Sequence, residues 1–152
     1  ISTPLGDFVV FSPDLDYLDD FGDLQDVPAP GELADHAALV WVHPAAGGGR
    51  SRSEYSPGME ALVADVVDAV EVYNGNWLGD QYVQSADAIA AELGVARTGG
   101  SDAHEVTRLM ACYTEVPDPV RSTEDVVTAI KQRLTVPHRS GAPRRRRGLG
   151  IR

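Results

Sequence analysis

The sequence has 152 residues, of which 43% are hydrophobic, and a formal net charge of −10 at pH 7. This length and composition predict one globular domain with a real core. No apolar run approaches the ~20 residues of a membrane span, and this excludes a protein with membrane-spanning helices. The single cysteine, Cys112, excludes an internal disulfide and favours a cytoplasmic protein with a buried, inert thiol.

The charge is unevenly distributed along the chain. Residues 139–152 hold six arginines and no acid, so residues 1–138 carry seven basic against 23 acidic side chains. Lys131 is the only lysine. Such an acidic surface is typical of a high-salt cytoplasm or a GC-rich genome, and it excludes nucleic-acid binding by bulk electrostatics in the main domain. Nucleic acid remains a predicted partner only for the arginine-rich tail, through Arg144–Arg147.

Strands and loops alternate with helices in the first half of the chain. Apolar runs predict strands at residues 8–11 and 39–42, and the second run is continuous, as expected for a strand covered on both faces. Between them we expect a long acidic loop over residues 12–32 and one or two helical turns over 31–38. Residues 45–58 form a Gly/Ser/Arg loop that does not fit the phosphate-loop spacing.

The second half continues the alternation. We predict a helix containing residues 59–67, a strand at 69–73, a helix at 80–93 closed by Gly94, strands at 95–98 and 111–115, and a helix that begins at Ser122 with Asp125 as its capping partner. Strand ends near residues 43, 74 and 102 match the ~30-residue period of a βαβ unit and predict a parallel sheet or barrel. Residues 137–152 are predicted to be a disordered tail or linker.

Polar side chains follow three of these strands. His43 and Asn74 each come directly after a strand, and Asp102 and His104 follow a Gly-Gly turn. Because the carboxyl ends of parallel strands share one edge, we expect these side chains to meet there. Asp102 and His104 are two residues apart and point to the same side of an extended segment. An imidazole and a carboxylate together suit Zn²⁺, Mn²⁺ or Fe²⁺.

Each of these residues also has a structural alternative. His43 alone could be a satisfied structural histidine, and Asn74 could either orient a phosphoryl oxygen or form a turn. Arg50 and Arg108 could each hold a phosphate through two guanidinium nitrogens or be surface charges. Glu71, inside a strand, is predicted to be paired or to face the helical layer. The coincidence of three polar strand ends favours the functional interpretation for His43.

These residues resemble the PHP family, named for its members in DNA polymerases and histidinol phosphatases. The likeness covers about residues 1–136, and Gly100–His104 behind the His43-Pro44 strand end is its most specific part. Four stretches carry it: Leu39–Pro44, Val70–Asn74, Gly100–His104 and Ser122–Lys131.

The resemblance implies an α/β fold, a distorted (β/α)₇ TIM-like barrel whose N-terminal strands are missing from this chain. It also implies a site of two or three divalent metals that hydrolyses phosphoesters. The substrate would be a small phosphorylated molecule or a nucleic-acid end. By motif, His43, Asp102 and His104 correspond to catalytic metal ligands, and Asp7 stands where relatives often have a histidine ligand. Asn74, Arg50 and Arg108 are the candidate substrate-binding residues.

Two features of the family pattern are absent from the sequence. The opening His-x-His strand is missing, and the bridging glutamate would fall just before Ile1. We therefore expect a C-terminal part that is active only together with an upstream segment. The alternative is a non-catalytic binding or scaffold module with a degenerate metal site.

Overall fold

The structure, a computed structural model, describes residues 1–22, 28–29, 31–45, 60–76 and 79–140. Its strands are β1 (Ser2–Thr3), β2 (Gly6–Phe11), β3 (Ala38–Val42), β4 (Ala69–Asn74), β5 (Ala96–Gly100), β6 (Cys112–Glu115) and β7 (Val136–Arg139). The α-helices of the described residues are α1 (Leu15–Gly22), α2 (Glu60–Val63), α3 (Asp80–Leu93) and α4 (Thr123–Lys131), with a 3₁₀ turn at Val106–Arg108. Within these ranges no helix has both the length and the apolar character needed to cross a membrane.

Five strands form one mixed sheet in the order β1-β2-β3-β4-β5. β3, β4 and β5 run parallel, which confirms that part of the prediction, whereas β1 and β2 are antiparallel to their neighbours. β6 and β7 form a separate antiparallel pair.

The predicted (β/α)₇ barrel is wrong for the described residues, whose main sheet is open. A barrel of this type needs a closed ring of parallel strands. Here the short turn after Thr3 reverses the chain, so β1 and β2 pair antiparallel and the two-residue β1 forms one border of the sheet. The fold is therefore a small mixed α/β structure with two separate sheets.

β3 is buried on both faces, as its continuous apolar run predicted. Leu39 and Trp41 point into the larger core, which contains buried side chains of α3. Ala38 and Val40 alternate to the opposite face and lie in a smaller core with Val127 of α4. The two-residue period of a strand thus divides one apolar run between two helical layers.

Local signals at the helix ends determine where α3 and α4 begin and end. α3 ends at Gly94, whose left-handed backbone (φ 65°) serves as the predicted C-cap. α4 begins after Ser122, whose side chain accepts a hydrogen bond from the Asp125 N–H. The Asp125 carboxylate accepts in return from the Ser122 N–H, so the predicted capping box is confirmed.

Ser122→Ala is expected to lower the free energy of unfolding by about 1 kcal/mol. The backbone N–H of Asp125, in the first turn of α4, loses its side-chain acceptor in this variant. Urea denaturation followed by circular dichroism measures the loss. Thr128→Ala, at an exposed position within the same helix, is the matched control and should be neutral or slightly stabilising. Equal effects of the two substitutions would contradict the capping role.

Three predicted elements differ in the structure. The segment predicted as an acidic loop contains α1, and the carboxylate of Asp14 accepts a hydrogen bond from the Tyr17 N–H at the start of this helix. The helical turns predicted over 31–38 are non-helical turns followed by the first residue of β3. The helix predicted over 59–67 is reduced to α2, and residues 46–59 lie outside the described residues.

Regular structure continues past residue 137, where the tail was predicted to begin. β7 pairs with β6, and His138 stacks on Tyr113 with ring centroids 5.0 Å apart. The Nε2 atom of His138 also lies 2.7 Å from a carboxylate oxygen of Glu115. Residues 141–152, which include most of the predicted tail, lie outside the described residues.

Side-chain hydroxyls line the border of the main sheet at β5. The Thr114 hydroxyl accepts the Gly99 N–H at 2.9 Å and donates to the Gly99 carbonyl at 2.8 Å. The Thr135 hydroxyl donates to the Arg97 carbonyl at 2.8 Å. A Cβ on Gly99 would lie 2.8 Å from the carbonyl oxygen of Tyr113, so glycine is needed for this close approach. The hydroxyls of Thr114 and Thr135 thus form hydrogen bonds with backbone groups of β5 that could otherwise pair with another strand.

Candidate functional site

The ends of β3 and β5 and the beginning of β2 lie at one edge of the main sheet. His43 directly follows β3, and Asp102 and His104 follow β5, at the carboxyl ends of parallel strands. β2 runs in the opposite direction, so its beginning lies at the same edge, where Asp7 pairs with Val42. The sheet topology therefore brings an acid from an antiparallel strand to the edge at which the predicted site residues lie.

Asp7 and His43 form the first carboxylate–imidazole pair. Oδ2 of Asp7 lies 3.5 Å from Nε2 of His43, and the imidazole is largely buried. With bonds of about 2.1 Å, two ligands of a tetrahedral ion lie roughly 3.4 Å apart. The two side chains are therefore close enough to bind one ion together, and without an ion they form a short-range ion pair when the imidazole is protonated.

Asp102 and His104 form the second pair, held by backbone and amide contacts. Nδ1 of His104 lies 2.9 Å from the carbonyl oxygen of Asp102, closer than the 3.8 Å to its carboxylate. A carbonyl only accepts, so Nδ1 carries the proton and Nε2 keeps its lone pair on the neutral ring. The Asn76 amide donates to the Asp102 carbonyl at 2.7 Å and to Oδ2 at 2.9 Å. Such outer contacts orient metal ligands in proteins.

The backbone at two of these residues lies in the left-handed region. His43 has φ 35° and Asp102 has φ 46°, and they are two of the four non-glycine residues with positive φ in the described part of the chain. Conformations of this kind are uncommon outside glycine and cluster at functional sites. The sheet edge therefore combines unusual backbone geometry with side chains able to bind ions.

Glu71 lies between the two pairs and was not among the predicted site residues. Its side chain is buried, and Oε2 accepts hydrogen bonds from the His43 N–H and the Asn74 amide, both at 2.9 Å. Burial raises the pKa of Glu71 to about 7, against the two hydrogen bonds, and the negative charge of Asp102 adds to the increase. The sequence left open whether Glu71 is paired or faces the helical layer, and the structure gives its carboxyl two hydrogen-bond donors. The signal that could have identified its role was an acid in an otherwise apolar strand, three residues before an asparagine.

The candidate substrate-binding residues are placed differently. Asn74 is fully buried, and besides its contact with Glu71 it accepts the Asn76 N–H through Oδ1 at 2.9 Å, as in the turn-forming alternative. Arg108 is exposed and its Nη1 lies 3.4 Å from the Gly75 carbonyl oxygen, beside the candidate edge. Arg50 lies outside the described residues. Their predicted roles with a phosphate stay predictions.

The donor atoms fit part of a metal site. Imidazole nitrogen and carboxylate oxygen suit Zn²⁺, Mn²⁺ and Fe²⁺, and the Asp7–His43 distance fits one shared ion. Among the residues that the structure describes, no three His, Cys, Asp or Glu side chains form a group able to hold a metal. The edge thus presents two carboxylate–imidazole pairs, and a metal ion at either pair would need further donors.

Comparisons with known proteins relate the chain to one family and one solved structure. Residues 82–135 match the family model described as PHP-associated. The fold resembles the crystal structure of PsfC from Pseudomonas syringae PB-5123, with a TM-score of 0.65 and 24% sequence identity. That likeness covers 88% of this chain and 54% of PsfC, so the chain spans about half the length of that protein. No curated protein matches the sequence.

The matched region includes most of α3, together with β5, the Asp102–His104 segment and α4. It overlaps two of the four stretches on which the resemblance was based. The match over residues 82–135 therefore confirms the predicted likeness to the C-terminal portion of PHP proteins.

Proposed function

We propose that this chain supplies part of the divalent-metal site of a phosphoesterase that acts on a small phosphorylated substrate. The observation that carries the proposal is the convergence of Asp7 with His43, and of Asp102 with His104, at one edge of the sheet. The match to the PHP-associated model over residues 82–135 supports the same function.

Each side chain has a defined task in this proposal. Asp7 Oδ2 and His43 Nε2 bind one ion, while His104 presents Nε2 because Nδ1 is engaged with the Asp102 carbonyl. Asn76 fixes Oδ2 of Asp102 and leaves Oδ1 to bind a second ion. When bound, such ions polarise the phosphoryl group and lower the pKa of bound water.

Arg108 gives the site a means of recognising the substrate. Its guanidinium lies at the β4 turn, next to the segment that carries Asp102, and it can bind two phosphate oxygens at once. The remaining metal ligands would come from the rest of a longer protein, because the likeness covers only about half of PsfC.

Replacing either histidine of the edge should abolish most of the activity. In the natural full-length protein, His43→Ala and His104→Ala are each expected to lower Mn²⁺- or Zn²⁺-dependent hydrolysis of p-nitrophenyl phosphate by about 100-fold or more, because each removes a direct ligand. His36→Ala is the matched control, since His36 precedes β3 at the opposite end of the strand and contacts Asp14. This control should keep full activity.

Metal binding separates the proposal from its alternative. Isothermal titration calorimetry should show that the wild type binds Mn²⁺ and that His43→Ala and His104→Ala each weaken this binding. Binding without turnover in the full-length protein would indicate the non-catalytic module. Turnover that survives both substitutions would reject the assignment of these residues.

A further inference from the structure

We infer that Glu71 is a positioning residue that holds His43 beside Asp7, and that Gly100 provides the space this carboxyl needs. The inference rests on the proposed function for its importance to metal binding. It assigns a role to a strand residue outside the two ligand pairs. The relevant contacts join the ends of β3, β4 and β5.

The first contact fixes the end of β3. The chain leaves the sheet at His43 with φ 35°, and its N–H donates to Oε2 of Glu71 on the neighbouring strand at 2.9 Å. A buried N–H without an acceptor is costly, so this carboxylate stabilises the unusual backbone from which the imidazole extends to Asp7. The same oxygen accepts the Asn74 amide and thereby joins the end of β4.

The second contact is with β5. A Cβ placed on Gly100 would clash with Oε1 of Glu71 and lie 3.3 Å from its Cδ, and no backbone atom is among its near neighbours. The missing side chain therefore leaves room for the carboxyl group alone. Any larger residue at position 100 would push Glu71 away from His43.

The opposite side of β4 fixes the backbone of Glu71. The Tyr82 hydroxyl, from α3, donates to the Glu71 carbonyl at 3.0 Å, and both residues are buried. The α3 layer thus holds the backbone of Glu71, while the carboxyl accepts hydrogen bonds from His43 and Asn74 beside Gly100. A side chain at position 100 should therefore displace this carboxyl and weaken its hydrogen bond with His43.

Two substitutions and their combination test this inference in the natural full-length protein. Gly100→Ala and Glu71→Ala should each weaken Mn²⁺ binding by about 10-fold or more, the effect typical of lost outer contacts. In the Glu71→Ala background, Gly100→Ala should have less than about a 2-fold further effect, because its steric target is gone. Glu71→Gln should bind Mn²⁺ about as well as the wild type, unlike Glu71→Ala, since an amide oxygen also accepts the His43 N–H. Gly79→Ala is the control, because a Cβ there meets open space.

A second measurement does not depend on metal. In the metal-free protein, hydrogen exchange at the His43 amide, observed by NMR, should be slow in the wild type and in Glu71→Gln. It should accelerate in Glu71→Ala and Gly100→Ala, while amides at the centre of β3 stay protected. If the wild type binds no Mn²⁺ but this pattern holds, the proposed function fails and Glu71 still positions His43. Equal effects of Gly100→Ala in both backgrounds, or unchanged His43 exchange, would overturn the inference.

Discussion

Replacing Trp41 with alanine is expected to lower the free energy of unfolding by about 3–5 kcal/mol. The indole is 1% exposed in the larger core and stacks on Phe8, with ring centroids 5.9 Å apart and planes at 11°. Among the described residues its Nε1 has no hydrogen-bond partner, so the loss reports packing and not a broken hydrogen bond. Because small domains have only 5–15 kcal/mol in total, the variant should be largely unfolded at modest urea concentrations.

Leu62→Ala is the control for this prediction. This substitution also shortens a large apolar side chain to a methyl group. Leu62 is 66% exposed on α2, however, so its truncation should cost less than about 0.5 kcal/mol. Circular dichroism during urea titration measures both variants. A Trp41→Ala protein as stable as Leu62→Ala would show that the larger core does not hold the fold together.

In the metal-free protein, Glu71 should make the fold less stable as the pH rises from 4.5 to about 7. Burial raises the pKa of its carboxyl from 4.5 to about 7, so the folded chain keeps a proton that the unfolded chain releases. Its contribution to stability is fully present below pH 4.5 and is lost as the pH rises through about 7. The full difference is roughly 3 kcal/mol, since one pKa unit corresponds to ~1.4 kcal/mol.

Glu71→Gln isolates this effect because the amide does not titrate. The unfolding free energy of the wild type minus that of the variant should decrease between pH 4.5 and 7 and then stay constant. Chemical denaturation at several pH values, in the presence of a chelator, measures both proteins. A difference independent of pH would show that Glu71 ionises in the folded protein as freely as in the unfolded chain.

Patterns local to one element predicted the structure well. The apolar run of residues 39–42, the helical period of 80–93 and the capping signal at Ser122 each depend on neighbours in sequence. The position of the candidate edge followed from the same logic, because parallel strands place their carboxyl ends together. His43 and Asp102 could therefore be singled out before any distance was known.

Closure of the sheet could not be predicted in the same way. A 30-residue period gives the direction of β3, β4 and β5 but not whether the first and last strands pair. The Pro4-Leu5-Gly6 turn explains only why β1 and β2 are antiparallel. The antiparallel pairing of β2 with β3 depends on how the segment with α1 returns to the sheet, and no local pattern gives that. α1 was missed because its many aspartates suggested a solvated loop, although Asp14 is a suitable cap. The role of Glu71 depends on contacts with β3 and β5, which only the folded chain brings near.

The hydroxyl contacts along β5 have a consequence for self-association. Sheet borders with free backbone groups can recruit further chains and grow into aggregates. Thr114 and Thr135 engage the N–H and carbonyl of Gly99 and the carbonyl of Arg97, so an incoming polypeptide would have to displace them before it could add to this side. At the opposite side, β1 offers a template only two residues long. Both borders thus discourage polymerisation of a protein whose main sheet does not close.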